Sequence, residues 1–116
     1  MSKRSDLLYL GHMLDTARSA YSKISAVTRP EFDRDENLQL AVTHLLQIIG
    51  EAARRVPEVA RAKYPDIPWS QIIGMRHKLV HDYFEISLDD VWRTANEDLM
   101  PLIATLEKHT PPEPPP

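Results

Sequence analysis

An all-α fold, a bundle of four to five helices, is what this 116-residue sequence predicts, and three observations carry that expectation. Apolar residues recur at alternating steps of three and four along several stretches, which is the spacing of one helix face. No stretch shows the apolar–polar alternation of a half-buried strand. Prolines at 30, 57, 65 and 68 punctuate the chain at intervals suited to the short connections of a bundle.

The first stretch carries Leu7, Leu10, Leu14, Ala17, Tyr21 and Ile24 as one apolar stripe, an interaction seam. Arg29-Pro30 interrupts it. Asp33 followed by Glu36 offers a start signal for a second helix, with Leu38, Ala41, Val42, Leu45, Ile49, Ala52 and Val56 on one face. Pro57 ends or bends that helix, and a short turn is expected over residues 58–63. In the following PDIP, Pro68 suits the first turn of a new helix, which holds the stretch RHKLVHDYF at 76–84. Ser87-Leu88-Asp89-Asp90 is a near relative of the capping box. It launches a last helix carrying Val91, Trp92, Ala95, Leu99, Leu102, Ile103 and Leu106, with a kink expected at Pro101. The closing PPEPPP cannot be helical, so a single domain over 1–110 and an extended tail over 111–116 are expected.

Composition narrows the function classes. With 42% apolar and 27% charged residues and no run long enough to span a bilayer, the chain reads as a soluble globular domain with no membrane partner. It contains no cysteine and its N-terminus does not resemble a signal peptide, so a cytoplasmic location is expected. A net charge of -3 argues against a broad nucleic-acid-coating surface. Any nucleic-acid contact must therefore be local. Arg54, Arg55, Arg61 and Lys63 form the nearest thing to a basic patch, with solvated cations as the plainer reading, and Arg76 and Lys78 follow later.

At about 100° per residue, Ile72, Ile73, Leu79, Val80 and Tyr83 all fall within about 60° of Arg76, which puts a guanidinium in the middle of an apolar face. One explanation is a buried ion pair, most simply with Glu51. The other is an arginine placed to bind phosphate. His81 lies about 140° round from Arg76. For the two to converge, either the helix ends or distorts near His81 or a second copy of the chain supplies the opposite wall. His77 and His81 have the spacing of two zinc ligands, but no glutamate completes an HExxH pattern, so no metal site is expected. His12, His44 and His109 are scattered and read as surface or half-buried residues. An arginine with a histidine suits metal-free RNA cleavage: the histidine removes the 2'-hydroxyl proton while the arginine stabilises the charge developing on the phosphoryl oxygens. Tyr83 could hydrogen-bond a phosphate or be a core aromatic with a wet hydroxyl.

IGEAARRVP at 49–57, YPDIPWSQIIGMRHKLVHDYF at 64–84, SLDDVW at 87–92 and DLMPLI at 98–103 resemble, in order and spacing, a HepT-like protein of the HEPN superfamily. These are the ribonuclease toxins of HEPN/MNT toxin–antitoxin pairs. The resemblance implies an all-helical homodimer whose motif helices face one another. It implies Arg76 and His81 as the catalytic pair of a ribonuclease that needs no metal or other cofactor, with His77 assisting. It also implies a minimal nucleotidyltransferase antitoxin that transfers AMP from ATP to Tyr83. Glu51 would pair with Arg76 or shape the cleft. A different class of function stays open beside this one, a non-catalytic helical module that binds a nucleotidyltransferase.

Overall fold

The computed structural model describes residues 3–80 and 85–111. The chain runs α1 (Lys3–Ile24), α2 (Arg29–Asp33), α3 (Glu36–Arg55), α4 (Glu58–Arg61), α5 (Trp69–Ile73), α6 (Met75–Leu79), α7 (Leu88–Arg93), a π-helical turn over Thr94–Asp98, and α8 (Leu99–His109). Among the described residues there is no strand, only an isolated antiparallel bridge between Val80 and Ile86. The all-α expectation holds, with one change of proportion. Three long helical stretches carry the core, and the expected fourth is two single turns, α5 and α6.

The apolar stripe of α1 becomes the centre of the core: Leu10, Met13, Leu14, Ala17, Ala20 and Ile24 are buried against α3 and α8. That seam is consumed within one chain, so it cannot also be the surface between two copies. Along α3 the buried residues are Val42, Thr43, Leu46, Ile49, Gly50, Ala53 and, just beyond its end, Val56. The stripe is rotated slightly from the expected one, leaving Leu38, Ala41, Leu45 and Ala52 half-buried. The helix starts at Asp35, whose carboxylate accepts the Leu38 N–H at 3.0 Å, and not at Asp33, which ends α2. α2 itself exists because Thr28 and Glu31 form a reciprocal capping box with Pro30 in the first turn. It buries Phe32, whose ring meets Trp92 at 5.3 Å.

Pro101 does not break the last helix. Its ring would run into the carbonyl of Glu97 in a regular α-helix, and the turn just before it is instead widened to a π-turn, so helix continues from Leu88 to His109. Ser87 does not cap by bonding a backbone N–H. Its hydroxyl donates to Asp90 at 2.8 Å, and Asp90 also pairs with Arg93.

The C-terminal end of α8 is fastened to the 62–68 connection. His109 Nε2 lies 2.8 Å from Asp66 and its ring meets Tyr64 edge-on at 5.0 Å. That hydrogen bond, before any other cause, holds the Asp66 carboxyl below the usual aspartate range. A carboxyl depressed by folding contributes stability above its unfolded pKa and loses it as pH falls through the folded value. Acidification below about pH 4 should therefore remove this contribution. Thermal melts between neutral and acidic pH should show a shallower acid limb in His109→Ala than in the wild type. An identical limb would mean that the pair does not act in solution. The expected tail lies outside the described residues from 112 onward.

Candidate functional site

The motif segment is shaped by its neighbours before its own chemistry enters. Pro68 sets the start of α5, and the Trp69 indole N–H donates to the Tyr64 carbonyl at 3.0 Å, pinning that start to the preceding turn. Gly74 stands between α5 and α6, ending one and starting the other, with its N–H shared between the Ser70 and Ile72 carbonyls. At this joint a Cβ would come within 3.1 Å of the Ser70 carbonyl oxygen, so glycine suits it. α6 lasts five residues, and Val80 then turns extended, at φ -125° and ψ 107°. Its bridge to Ile86, with the Ser87 N–H donating to the Leu79 carbonyl at 2.7 Å, ties together the two ends of the segment that carries His81 and Tyr83. His81 and Tyr83 themselves lie outside the described residues. The helix ends at Leu79, before His81 is reached.

Arg76 is exposed, not buried in an apolar face. The buried side of α5 and α6 is formed by Ile72, Met75 and Leu79, and Arg76 falls past its edge. The expectation failed because it took Ile73, Val80 and Tyr83 as core along one straight helix, whereas Ile73 and Val80 are only half-buried and the helix has ended by Val80. The proposed Arg76 to Glu51 bridge is not formed either. Glu51 pairs with Arg54 on its own helix, at 3.2 Å. Among the described residues Arg76 and Lys78 enter no ion pair, and His77 is exposed beside them.

The other cations are mostly occupied. Arg18 pairs with Glu107, Arg29 with Asp33 and Asp89, and Arg93 with Asp90. Of the earlier basic cluster, Arg54 is neutralised by Glu51, and Arg61 donates to the carbonyls of Val56 and Arg54 at the end of α3. Lys63 lies 3.9 Å from the buried Asp6 carboxylate. Arg55 of that cluster enters no ion pair among the described residues, and neither do Lys23, Arg34 and Lys108, so α6, with Arg76 and Lys78 on one helical turn, is one of several places where positive charge is left free. Two side chains that sequence reasoning passed over also lie near α6: Thr94 and Asp98, in the π-turn, line a groove together with Met75 and Lys78. Their one signal in the sequence was Pro101, a proline inside an otherwise regular helix pattern.

With this geometry in place, comparison with known proteins decides the family. The family model "Ribonuclease HepT-like" matches residues 13–109, which include all of α3 to α8 and the motif segment. The chain belongs to the HepT-like ribonuclease family. It is 33% identical over 106 residues to "Probable ribonuclease HepT" of Thermococcus cleftensis, covering 91% of this chain and 96% of that protein. It is 32% identical over 108 residues to "Putative RNase MJ1216" of Methanocaldococcus jannaschii, covering 93% and 89%. No solved structure matches the chain. Among the described residues of this HepT-like protein no helix is long and apolar enough to cross a membrane.

Proposed function

We propose that this HepT-like protein is the endoribonuclease toxin of a toxin–antitoxin pair and cuts RNA without a metal ion. The observation that carries the reading is Arg76: an exposed guanidinium on a single-turn helix, with no ion pair among the described residues, five residues before a histidine. A guanidinium spent on a carboxylate could not serve a phosphate, and this one is unspent. The family match spans the whole motif, and relatives of similar length carry ribonuclease names.

In this mechanism His81 takes the proton from a ribose 2'-hydroxyl, and the 2'-oxygen attacks the adjacent phosphorus. The bond from phosphorus to the 5'-oxygen breaks, and that oxygen leaves with a proton from a protonated histidine, His81 or the assisting His77. Arg76 holds the phosphoryl oxygens as charge builds on them. Tyr83 is the residue that a nucleotidyltransferase antitoxin would modify with AMP. The transfer joins the tyrosine oxygen to the α-phosphorus of ATP and releases pyrophosphate. It would place an anion and a nucleoside two residues from His81, competing with RNA for the Arg76 charge.

A homodimer completes the reading, and its surface is supplied by α3. Leu40 and Ile48 are 49% and 36% exposed and share one helical stripe with the exposed His44, on a helix that packs against α6. The test of the activity is direct: incubate unmodified protein, verified by intact mass, with a mixed RNA in EDTA, beside His81→Ala. Cleavage by the wild type alone supports the toxin reading. Intact RNA in both, from folded dimers, would favour a non-catalytic module that binds a nucleotidyltransferase.

A further inference from the structure

The outward face of α3 carries one histidine between two apolar side chains. Leu40, His44 and Ile48 follow one another at steps of four, and His44 stands about 160° round the helix from the buried Val42. All three are exposed. The side chains one turn to either side of His44 are Leu40, Ala41, Gln47 and Ile48, none of them charged. The nearest charged groups on the helix are Glu36 and Glu51, about two turns away, and Glu51 is paired with Arg54 at 3.2 Å. Of the elements packed on α3, α1 covers its buried side and α5 holds no charged residue. α2 and α7 bring Asp33, Asp89 and Asp90, which Arg29 and Arg93 pair, and α6 brings the cations Arg76 and Lys78 with His77.

A two-fold interface is self-complementary, so this face of α3 must fit its own copy. If the two helices run parallel, Leu40 meets the partner's Leu40 and Ile48 meets the partner's Ile48. If they run antiparallel, each Leu40 meets the partner's Ile48. Both arrangements that set apolar on apolar also set His44 against the partner's His44. Two neutral imidazoles can share a hydrogen bond, since each has one N–H and one bare nitrogen. Two imidazoliums have only donors, carry like charge and must leave water to meet. No carboxylate stands within a turn of His44 on its own helix to offset that cost.

We propose that the two His44 side chains meet across the homodimer and make the association of the two copies pH-sensitive. The device rests on the homodimer reading, and the two fail differently. Histidine changes charge between pH 5 and 8. The separated chains can take up a proton at each His44 and the dimer excludes both, so association weakens as pH falls. With two histidines per dimer, the dissociation constant should be about 100-fold higher at pH 5.5 than at pH 8. Sedimentation equilibrium of the whole chain at both pH values measures it, with circular dichroism confirming that the chain stays folded at pH 5.5. His44→Gln, which has no charge to gain, and His44→Leu, which completes the apolar stripe, should dimerise within about threefold equally at both pH values. His44→Lys should be monomeric at both, and His12→Gln, on another helix, should behave as the wild type does. A wild-type dimer of equal strength at pH 5.5 and pH 8 would overturn the device alone, as would a His44→Gln dimer that keeps the full pH dependence. A folded wild-type chain that is monomeric at both pH values would overturn the homodimer reading and the device with it.

Discussion

Arg76→Ala is expected to lower RNA cleavage at least about 100-fold while changing the free energy of unfolding by less than about 0.5 kcal/mol. The two halves follow from the same geometry. An exposed arginine with no ion pair among the described residues leaves no buried charge orphaned when it is removed. Had it bridged to Glu51 inside the core, its loss would cost about 3 to 5 kcal/mol. What the substitution does remove is the only fork-shaped donor in the motif segment, and losing one donor aimed at developing negative charge costs about 100- to 1,000-fold in rate. Arg76→Lys should recover part of that, because an ammonium keeps the charge but cannot grip two phosphoryl oxygens in parallel. Single-turnover cleavage beside urea unfolding gives both numbers on one preparation. A variant that cuts normally but unfolds about 3 kcal/mol more easily would return Arg76 to a structural role.

The contrast between that prediction and the buried position expected from the sequence shows which information a helical wheel holds. Long periodic segments are read well because many residues vote. The stripe of α1 and the launch of the last helix near Ser87 were legible, and so was the end of α3 at Pro57. Over residues 69–80 the vote is small, and one residue with no side chain overrides it: Gly74 divides the segment, and Val80 leaves the helix to pair with Ile86. The capping box at Thr28 was legible in principle, as a Thr-x-x-Glu pattern, but the adjacent proline masked it as an interruption. Motif identity survived where motif geometry did not. Residue type and spacing carried the resemblance, whereas the freedom of Arg76 depends on which carboxylate Glu51 and its neighbours spend elsewhere.

Gly50→Ala should show how strongly that geometry depends on α3. In the middle of a helix, alanine is normally favoured over glycine by about 1 kcal/mol, and Gly11 in α1 is the control, since a Cβ there meets nothing within 4 Å. Gly11→Ala should therefore stabilise the protein by about 0.5 to 1 kcal/mol. At Gly50 the same Cβ would lie 2.9 Å from the backbone carbonyl oxygen of Ile72, an approach that side-chain rotation cannot relieve. Something in the backbone must move. Overpacking of this kind costs about 1 to 3 kcal/mol, enough to cancel the helical gain and leave a net loss. Ile72 sits in the last turn of α5, two residues before the Gly74 joint, so the displacement passes directly into α6 and to Arg76. Cleavage should accordingly fall about tenfold or more at temperatures where the variant is still fully folded, since a misplacement of about 1 Å can cost that much or more. Equal stabilisation by Gly11→Ala and Gly50→Ala would mean that α3 and α5 are not in contact through this glycine. Destabilisation without any loss of cleavage would mean that α6 holds its position independently of the helix behind it.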